Sequence, residues 1–315
     1  MKIVIVFLTS TLISSTVFAQ KPDSVKYLQI INEAIATIML DGYPDFLTSD
    51  GNDVWVMNIG KVQKISAKSK TPILNVSIPD PCGAPIVANG SLWIASCKDK
   101  SIYRIDHRTG NVSAIIPLSI ADPDGEISLA FGDGSLWVLT DSAGTLSRID
   151  PKTNTVKANI KVNQHSYCAT YGYNSVWITT SENPGSVQRI DPKTNSIVST
   201  IAVGPIPRFL AAGENGIWTL NQNDGTISHI DPISNKLIAT IDGKVPGPGG
   251  DIAVGADKVW VRAKKNTFLL TIDPQRNIVL NRYLPLCGSG AVRVSKKYVW
   301  VSAHDVNTIW ILKIK

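Results

Sequence analysis

The chain has 315 residues, of which 43% are hydrophobic and 18% charged, and its formal net charge is +6 at pH 7. The basic residues are scattered rather than gathered in runs, so they do not indicate a nucleic-acid surface and are typical of a solubilising surface charge. After the N-terminal segment no apolar run is long enough to span a bilayer, which argues against a membrane-spanning protein.

The N-terminus has the regions of a secretory signal peptide. Lys2 precedes an apolar run that begins at Ile3, and Val17 and Ala19 are small enough for a cleavage site. A membrane anchor is the alternative, but Ser and Thr interrupt the run and it is short for a spanning helix. We therefore expect residues 1–19 to be removed, residues 20–315 to form a single domain, and the protein to be exported (periplasmic or extracellular).

One tryptophan recurs about every 40 residues, a period typical of β-propellers. Each member of the set directly follows an aliphatic residue, and neighbouring members are 38 to 44 residues apart. The set is Trp55, Trp93, Trp137, Trp177, Trp218, Trp260 and Trp300. With many short strands, this period predicts an all-β fold, a seven-bladed β-propeller with four-stranded blades. We interpret the tryptophans as packing between blades rather than as a ring of sugar-binding aromatics.

The four strands of a repeat, named a to d outward from the axis, are clearest in the fifth repeat. They are predicted at Phe209–Ala212, Ile217–Leu220, Thr226–Ile230 and Leu237–Ile241. The turn between strands c and d is repeated, at Asp150–Asn154, Asp191–Asn195, Asp231–Asn235 and Asp273–Asn277, with a variant at Asp106–Gly110. Asp caps such turns and Asn tolerates left-handed φ, so a turn role is favoured over metal ligation.

The two ends of the chain complete one blade. The seventh repeat stops after its third strand, within Thr308–Ile314, and Asn32–Ile38 has the pattern of the strand d at Asn235–Ile241. We therefore predict that the last blade is completed by the N-terminal strand, which would remove exposed sheet edges.

Two of the four cysteines flank a hairpin. Cys82 and Cys97 lie on either side of Asn89-Gly90, and in a two-residue turn their numbers would place them opposite each other. A disulfide is one interpretation and two free buried thiols the other. Cys168 and Cys287 lie in repeats that are not neighbours, so no bond between them is expected.

The stretch Arg189–Trp218, with its Arg-Ile-Asp-Pro-Lys-Thr-Asn motif, resembles the YVTN-type seven-bladed propellers, and the resemblance covers essentially the whole chain after the signal peptide. The chain is also similar to the streptogramin (virginiamycin B) lyases. That similarity implies a metal-assisted elimination, with a catalytic His after a Pro at the start of a late strand a. The corresponding position after Pro207 carries Arg208.

A site is expected at the channel mouth on the top face, which carries the d–a connections and the b–c loops. The candidates lie at the starts of strands a: Asp45, Glu126, His165, Tyr167, Arg208 and Asp251, with Asp122 and Asp124 in a longer connection. No residue is assigned a catalytic role, and no metal or cofactor is identified. Two functions stay open: an exported, monomeric propeller that binds an unknown ligand or protein here, and a metal-dependent lyase or lactonase-type enzyme.

Overall fold

A computed structural model describes residues 24–121, 126–264, 268–285 and 287–314, whose strands form seven sheets arranged as a propeller. The signal peptide prediction falls on residues 1–19, outside the described part of the chain, and stays a prediction. Among the described residues, no helix is long and apolar enough to cross a membrane. Helix is confined there to Ile30–Glu33 and a 3₁₀ turn at His304–Val306.

The blades follow one another along the chain, and each runs from the innermost strand a to the outermost strand d. Blade 1 consists of Leu47–Asp50, Asp53–Asn58, Lys61–Ile65 and Pro72–Ser77. Blade 2 consists of Pro81–Ala88, Ser91–Ser96, Ser101–Asp106 and Val112–Pro117. Blade 3 consists of Leu129–Gly132, Ser135–Asp141, Thr145–Asp150 and Thr155–Lys161. Blade 4 consists of Ser166–Gly172, Ser175–Thr180, Gly185–Asp191 and Ser196–Val203.

The remaining blades bring the two chain ends together. Blade 5 consists of Pro207–Gly213, Gly216–Asn221, Thr226–Asp231 and Lys236–Asp242. Blade 6 consists of Asp251–Gly255, Lys258–Arg262, Leu269–Asp273 and Ile278–Leu284. Blade 7 consists of Val292–Val294, Tyr298–Ala303, Thr308–Lys313 and, as strand d, Ala34–Met39. The predicted seven-bladed propeller is confirmed, and its closure by the N-terminal strand is confirmed as well.

The closing strand lies antiparallel to strand c of blade 7, with Ile38 opposite Ile309. The sequence did not predict a second contribution from the N-terminus. Lys26–Gln29 pairs in parallel with strand d of blade 6 and makes that sheet five-stranded. The innermost strands of blades 7 and 1 are neighbours, so the ring of strands a is continuous around the channel.

The repeated tryptophans are core residues. Trp260 is 6% exposed and the other six have no exposed surface. In blades 2 to 6 the indole N–H donates to the backbone oxygen five residues earlier, at the a–b turn. Their predicted role in packing between blades is confirmed, because these side chains are buried and cannot contact a ligand in solution.

The turns between strands c and d have the predicted chemistry. Asp150, Asp191 and Asp231 each accept a hydrogen bond from the backbone N–H two residues later. Asn154 and Asn195 adopt positive φ, at 57° and 54°. These aspartates therefore hold turns.

A repeated arginine links each of blades 2, 3 and 4 to the next blade. The Arg189 guanidinium lies 5.1 Å from the Trp177 ring centroid of its own blade and donates to Ser175 Oγ at 2.8 Å. It also donates to Pro232 O and Asn235 Oδ1 in the c–d turn of blade 5, both at 2.9 Å. Arg104 and Arg148 make the same set of contacts in their blades.

A disulfide joins Cys82 and Cys97, whose Cα atoms are 5.9 Å apart. The expected register is wrong, because Cys82 lies opposite Ala95. A bulge between Cys82 and Ile86 shifts the pairing. Gly83 occupies the bulge at φ 84°, where a Cβ would lie 2.0 Å from the backbone oxygen of Ile127.

Candidate functional site

The propeller channel contains a cavity of about 280 Å³. Residues in or next to strand a of all seven blades line it, because strand a is the innermost strand of each sheet. Of the predicted site residues, Glu126, Tyr167 and Asp251 line this cavity. Their side chains come from blades 3, 4 and 6, so the fold brings together residues that are far apart in the sequence.

Three aromatic side chains line the channel, and Phe209 contacts the other two. The ring centroids of Phe46 and Phe209 are 6.3 Å apart, and those of Tyr167 and Phe209 are 5.9 Å apart in an edge-to-face arrangement. Tyr167 is 8% exposed, and its hydroxyl has no hydrogen-bond partner. A buried hydroxyl without a partner costs about 1–3 kcal/mol, so this atom is suited to a ligand.

Arg208 lies against the aromatic group. Its guanidinium carbon is 3.4 Å from the Tyr167 ring centroid, a cation–π contact. One of its nitrogens is 4.0 Å from Glu126 Oε2. Arg208 therefore links a ring of the channel wall to a carboxylate of the wall.

Asp251 is a buried carboxylate with several partners. It is 3% exposed and accepts hydrogen bonds from the backbone N–H groups of Ile252 and Val292, at 2.9 and 3.1 Å, and from the Arg293 guanidinium. Burial raises the pKa of Asp251, although Arg293 and the two N–H donors lower it. The carboxylate is thus mainly engaged by the protein itself.

Asp45 has few partners for its charge. In the described part of the chain its carboxylate makes no hydrogen bond and no ion pair. Burial raises the pKa of Asp45 to about 7, the charges of Glu126 and Asp251 add to the shift, and Arg262 opposes it. The protein therefore stabilises the ionised form of this carboxyl poorly near neutral pH.

Replacing Asp45 with Asn is expected to weaken the pH dependence of stability between about pH 4 and pH 7. A carboxyl whose pKa is higher in the folded state takes up a proton on folding within this window, so wild-type stability falls as the pH rises and levels off above about 7. The Asn variant lacks this loss and is expected to be the more stable protein near pH 8. Urea denaturation at about pH 5 and pH 8 measures the effect. Asp257→Asn, at an exposed turn, is the control, and parallel pH profiles for D45N and wild type would contradict the prediction.

His165 is not brought to the cavity. It is exposed, at φ 56°, and its backbone bonds to Ser142 O and Ser181 N bridge neighbouring turns. Asp122 and Asp124 lie outside the described residues. No three His, Cys, Asp or Glu side chains form a metal-ligand cluster in the ranges that the structure covers.

A group of side chains around His304, which the sequence did not predict, lies at the top face between blades 7 and 1. The Tyr43 hydroxyl is 3.1 Å from His304 Nε2, and the two rings stack with centroids 4.0 Å apart. Asp305 Oδ1 lies 2.5 Å from His304 Nδ1, a contact that becomes an ion pair when the imidazole is protonated. Burial lowers the pKa of His304, and the Asp305 charge raises it. Asp45 and Glu126 lie close enough to raise the pKa of Tyr43, after burial as the main cause.

The comparisons with known proteins agree on the fold. Residues 51–206 match the model of DUF6923, a repeat of unknown function. Among curated proteins, none matches by sequence. Virginiamycin B lyase from Staphylococcus aureus, in its selenomethionine form, superposes with a TM-score of 0.71 at 16% identity over 89% of this chain and 99% of its own. The Pan2 WD40 domain of Neurospora crassa superposes with a TM-score of 0.69 at 13% identity over 87% of this chain and 89% of its own.

The expected resemblance to lyase-like propellers is confirmed at the level of the fold. At these identities a structural likeness shows a shared architecture alone. The function must therefore be argued from the channel and its mouth.

Proposed function

We propose that the protein binds a small molecule in its channel through the top face. The observation that carries this proposal is the cavity of about 280 Å³, which combines three aromatic rings with a few polar groups. Small-molecule sites are concave, mainly apolar and supplied with a few polar groups, and their volumes begin at about 300 Å³. The unpartnered Tyr167 hydroxyl gives such a ligand one polar atom to bind.

Filling the channel is expected to abolish this binding. Ala211 lines the cavity and is 8% exposed, so Ala211→Leu places a larger side chain in the ligand's space. A fragment screen by thermal shift identifies binders of the wild type, and we expect roughly tenfold weaker binding or none in the variant. Ala202→Leu makes the same change on the exposed strand d of blade 4 and should leave binding unchanged. If fragments bind A211L as tightly as wild type, their binding site is not this cavity. Binding of a protein partner at the channel mouth would then be the proposal that remains.

A metal-dependent lyase or lactonase-type enzyme is the second candidate. The observation that favours it is the contact of His304 with Tyr43 and Asp305 beside the channel-mouth carboxylates, because such a group can accept and donate protons. Calorimetric titration with divalent ions tests it, and His304→Ala should weaken any binding that depends on this cluster. If no divalent ion binds the purified protein, this candidate loses its support.

We also propose that the protein is exported after removal of residues 1–19. The Cys82–Cys97 disulfide supports this proposal, because disulfides persist in oxidising compartments. The N-terminal residue of the protein recovered from outside the cytoplasm checks it. Gln20 is expected, and a retained Met1 would contradict the proposal.

A further inference from the structure

Trp260 of blade 6 lacks the side chain that covers the tryptophan in most other blades. In blades 1 to 5 a cationic or imidazole group of strand c lies over the indole ring. The residue opposite Trp260 is Thr271, which has no group that reaches across the ring. Blade 7 has Ile311 in this place and its tryptophan is fully buried, so Trp260 is the one repeated tryptophan with exposed surface, at 6%.

The following blade also leaves space beside Trp260. The repeated arginines reach the c–d turn of the next blade, but strands c and d of blade 7 come from opposite ends of the chain, and no turn joins them within the described residues. A second cavity, of about 270 Å³, lies between blades 6 and 7. Trp260 and Tyr283 line it, with ring centroids 6.5 Å apart, and so does Ile314, just after strand c of blade 7. The cavity therefore lies where other blades place the covering group and its turn.

Lysines outnumber acids around this second cavity. Lys26, Lys258 and Lys313 line it together with one acid, Glu33. Within the described ranges Lys26 and Lys313 make no hydrogen bond and no ion pair, and the Lys258 ammonium reaches only Ala256 O at 3.5 Å. Three ammonium groups beside one carboxylate attract an anion.

We propose that this second cavity binds a small flat aromatic anion, such as an aromatic carboxylate. The ring of the ligand lies against Trp260 and Tyr283, in the place that a guanidinium or imidazole occupies in other blades. The lysine ammonium groups, each with three N–H donors and no acceptor, bind its charge. The volume is close to the lower end of small-molecule sites, about 300 Å³, which suits a ligand of one or two rings.

The site is separate from the channel and does not depend on the function proposed above. Its lining residues Ala256 and Lys258 flank the a–b turn of blade 6, so it opens on the face opposite the channel mouth. None of its lining residues lines the channel cavity.

Three probes of similar shape and different charge test the inference: 2-naphthoate, 2-naphthalenemethanol and 2-(aminomethyl)naphthalene. Affinities for the full chain are measured by ligand-observed NMR and calorimetry at about pH 7.5, where the carboxylate is ionised and the lysines are protonated. We expect 2-naphthoate to bind wild type roughly tenfold more tightly than the alcohol, and the amine to bind most weakly.

Removing lysine charges tests the groups that select an anion. Lys26→Gln combined with Lys313→Gln changes two exposed side chains and should reduce the preference for 2-naphthoate over the alcohol to about threefold or less. Lys193→Gln, at the exposed c–d turn of blade 4, is the matched control and should change nothing.

Covering the tryptophan tests the stacking surface. Thr271→Arg combined with Asn281→Ser gives blade 6 the residues that blade 4 has at Arg189 and Ser199, which lie opposite each other in the same way. The new guanidinium should lie over Trp260 and abolish binding of 2-naphthoate.

Each contrary outcome overturns the inference. If no probe binds, if the alcohol binds as tightly as 2-naphthoate, or if K26Q/K313Q keeps the full preference, this cavity is not an anion site. If T271R/N281S folds and binds as wild type does, Trp260 is not the stacking surface; if it does not fold, the lysine variants decide the result alone. If Ala211→Leu abolishes the binding, 2-naphthoate lies in the channel, which contradicts the inference and supports the function proposed for the channel.

Discussion

Replacing Ile38 with Asp is expected to destabilise the folded protein by roughly 4 kcal/mol or more. Ile38 is 6% exposed in the strand that closes the ring, and it packs in the largest hydrophobic cluster beside Leu40 and Ile309. An aspartate there would be buried without a partner for its charge. The midpoint of urea denaturation should fall sharply, and the protein could remain partly unfolded in buffer.

Ile35 in the same strand is the control. It is 42% exposed, so Ile35→Asp leaves the charge in water and should change stability by no more than about 0.5 kcal/mol. Deleting residues 30–40 is the stronger form of the test, since it removes the whole of strand d of blade 7 and should abolish a single cooperative transition. Equal stability of I38D and I35D, or unchanged melting of the deletion variant, would show that the ring does not depend on this closure.

The fold was predictable because each blade imposes the same physical demands on its sequence. A buried tryptophan lies in strand b of every blade. Asp and Asn recur where a tight turn needs a side-chain acceptor or a left-handed φ. The strand Ala34–Met39 was recognisable because it carries the pattern of a strand d, which is missing from the C-terminal repeat. The bulge at Gly83 was not recognisable, because strands a and b also shift register in blades 4 and 5 but no shared residue type marks these irregularities.

The site was predictable only in part, because it is made of residues that do not repeat. Glu126, Tyr167 and Asp251 could be selected as polar residues near the starts of strands a, but His165 has the same sequence position and lies exposed in a turn. His304 has no sequence signal that links it to Tyr43, which is 261 residues away. Such contacts arise from ring closure, and residue types alone do not encode them.

The contacts of the repeated arginines were predictable to a degree between that of the fold and that of the site. The Arg recurs on strand c, so its position was visible, but its partners lie in the next blade. Blade 5 shows that another residue can take the place: His229 stacks on Trp218 with centroids 3.6 Å apart, and its Nδ1 lies 2.7 Å from Asn277 Oδ1. The physical requirement is therefore a flat polar group that covers the tryptophan and reaches the neighbouring turn.

Replacing Arg189 with Ala is expected to cost about 3 kcal/mol of folding free energy. The change removes three hydrogen bonds from a charged donor and a cation–π contact with Trp177, and it leaves the buried Pro232 carbonyl without this donor. Arg189→His should lose about half as much, since His229 shows that an imidazole fits this position. Urea denaturation of both variants measures the difference, with Lys193→Ala at the exposed c–d turn as a control expected within about 0.5 kcal/mol of wild type. If R189A is as stable as wild type, the arginine does not hold blades 4 and 5 together; if R189H is no better than R189A, stacking and reach are not what the position requires.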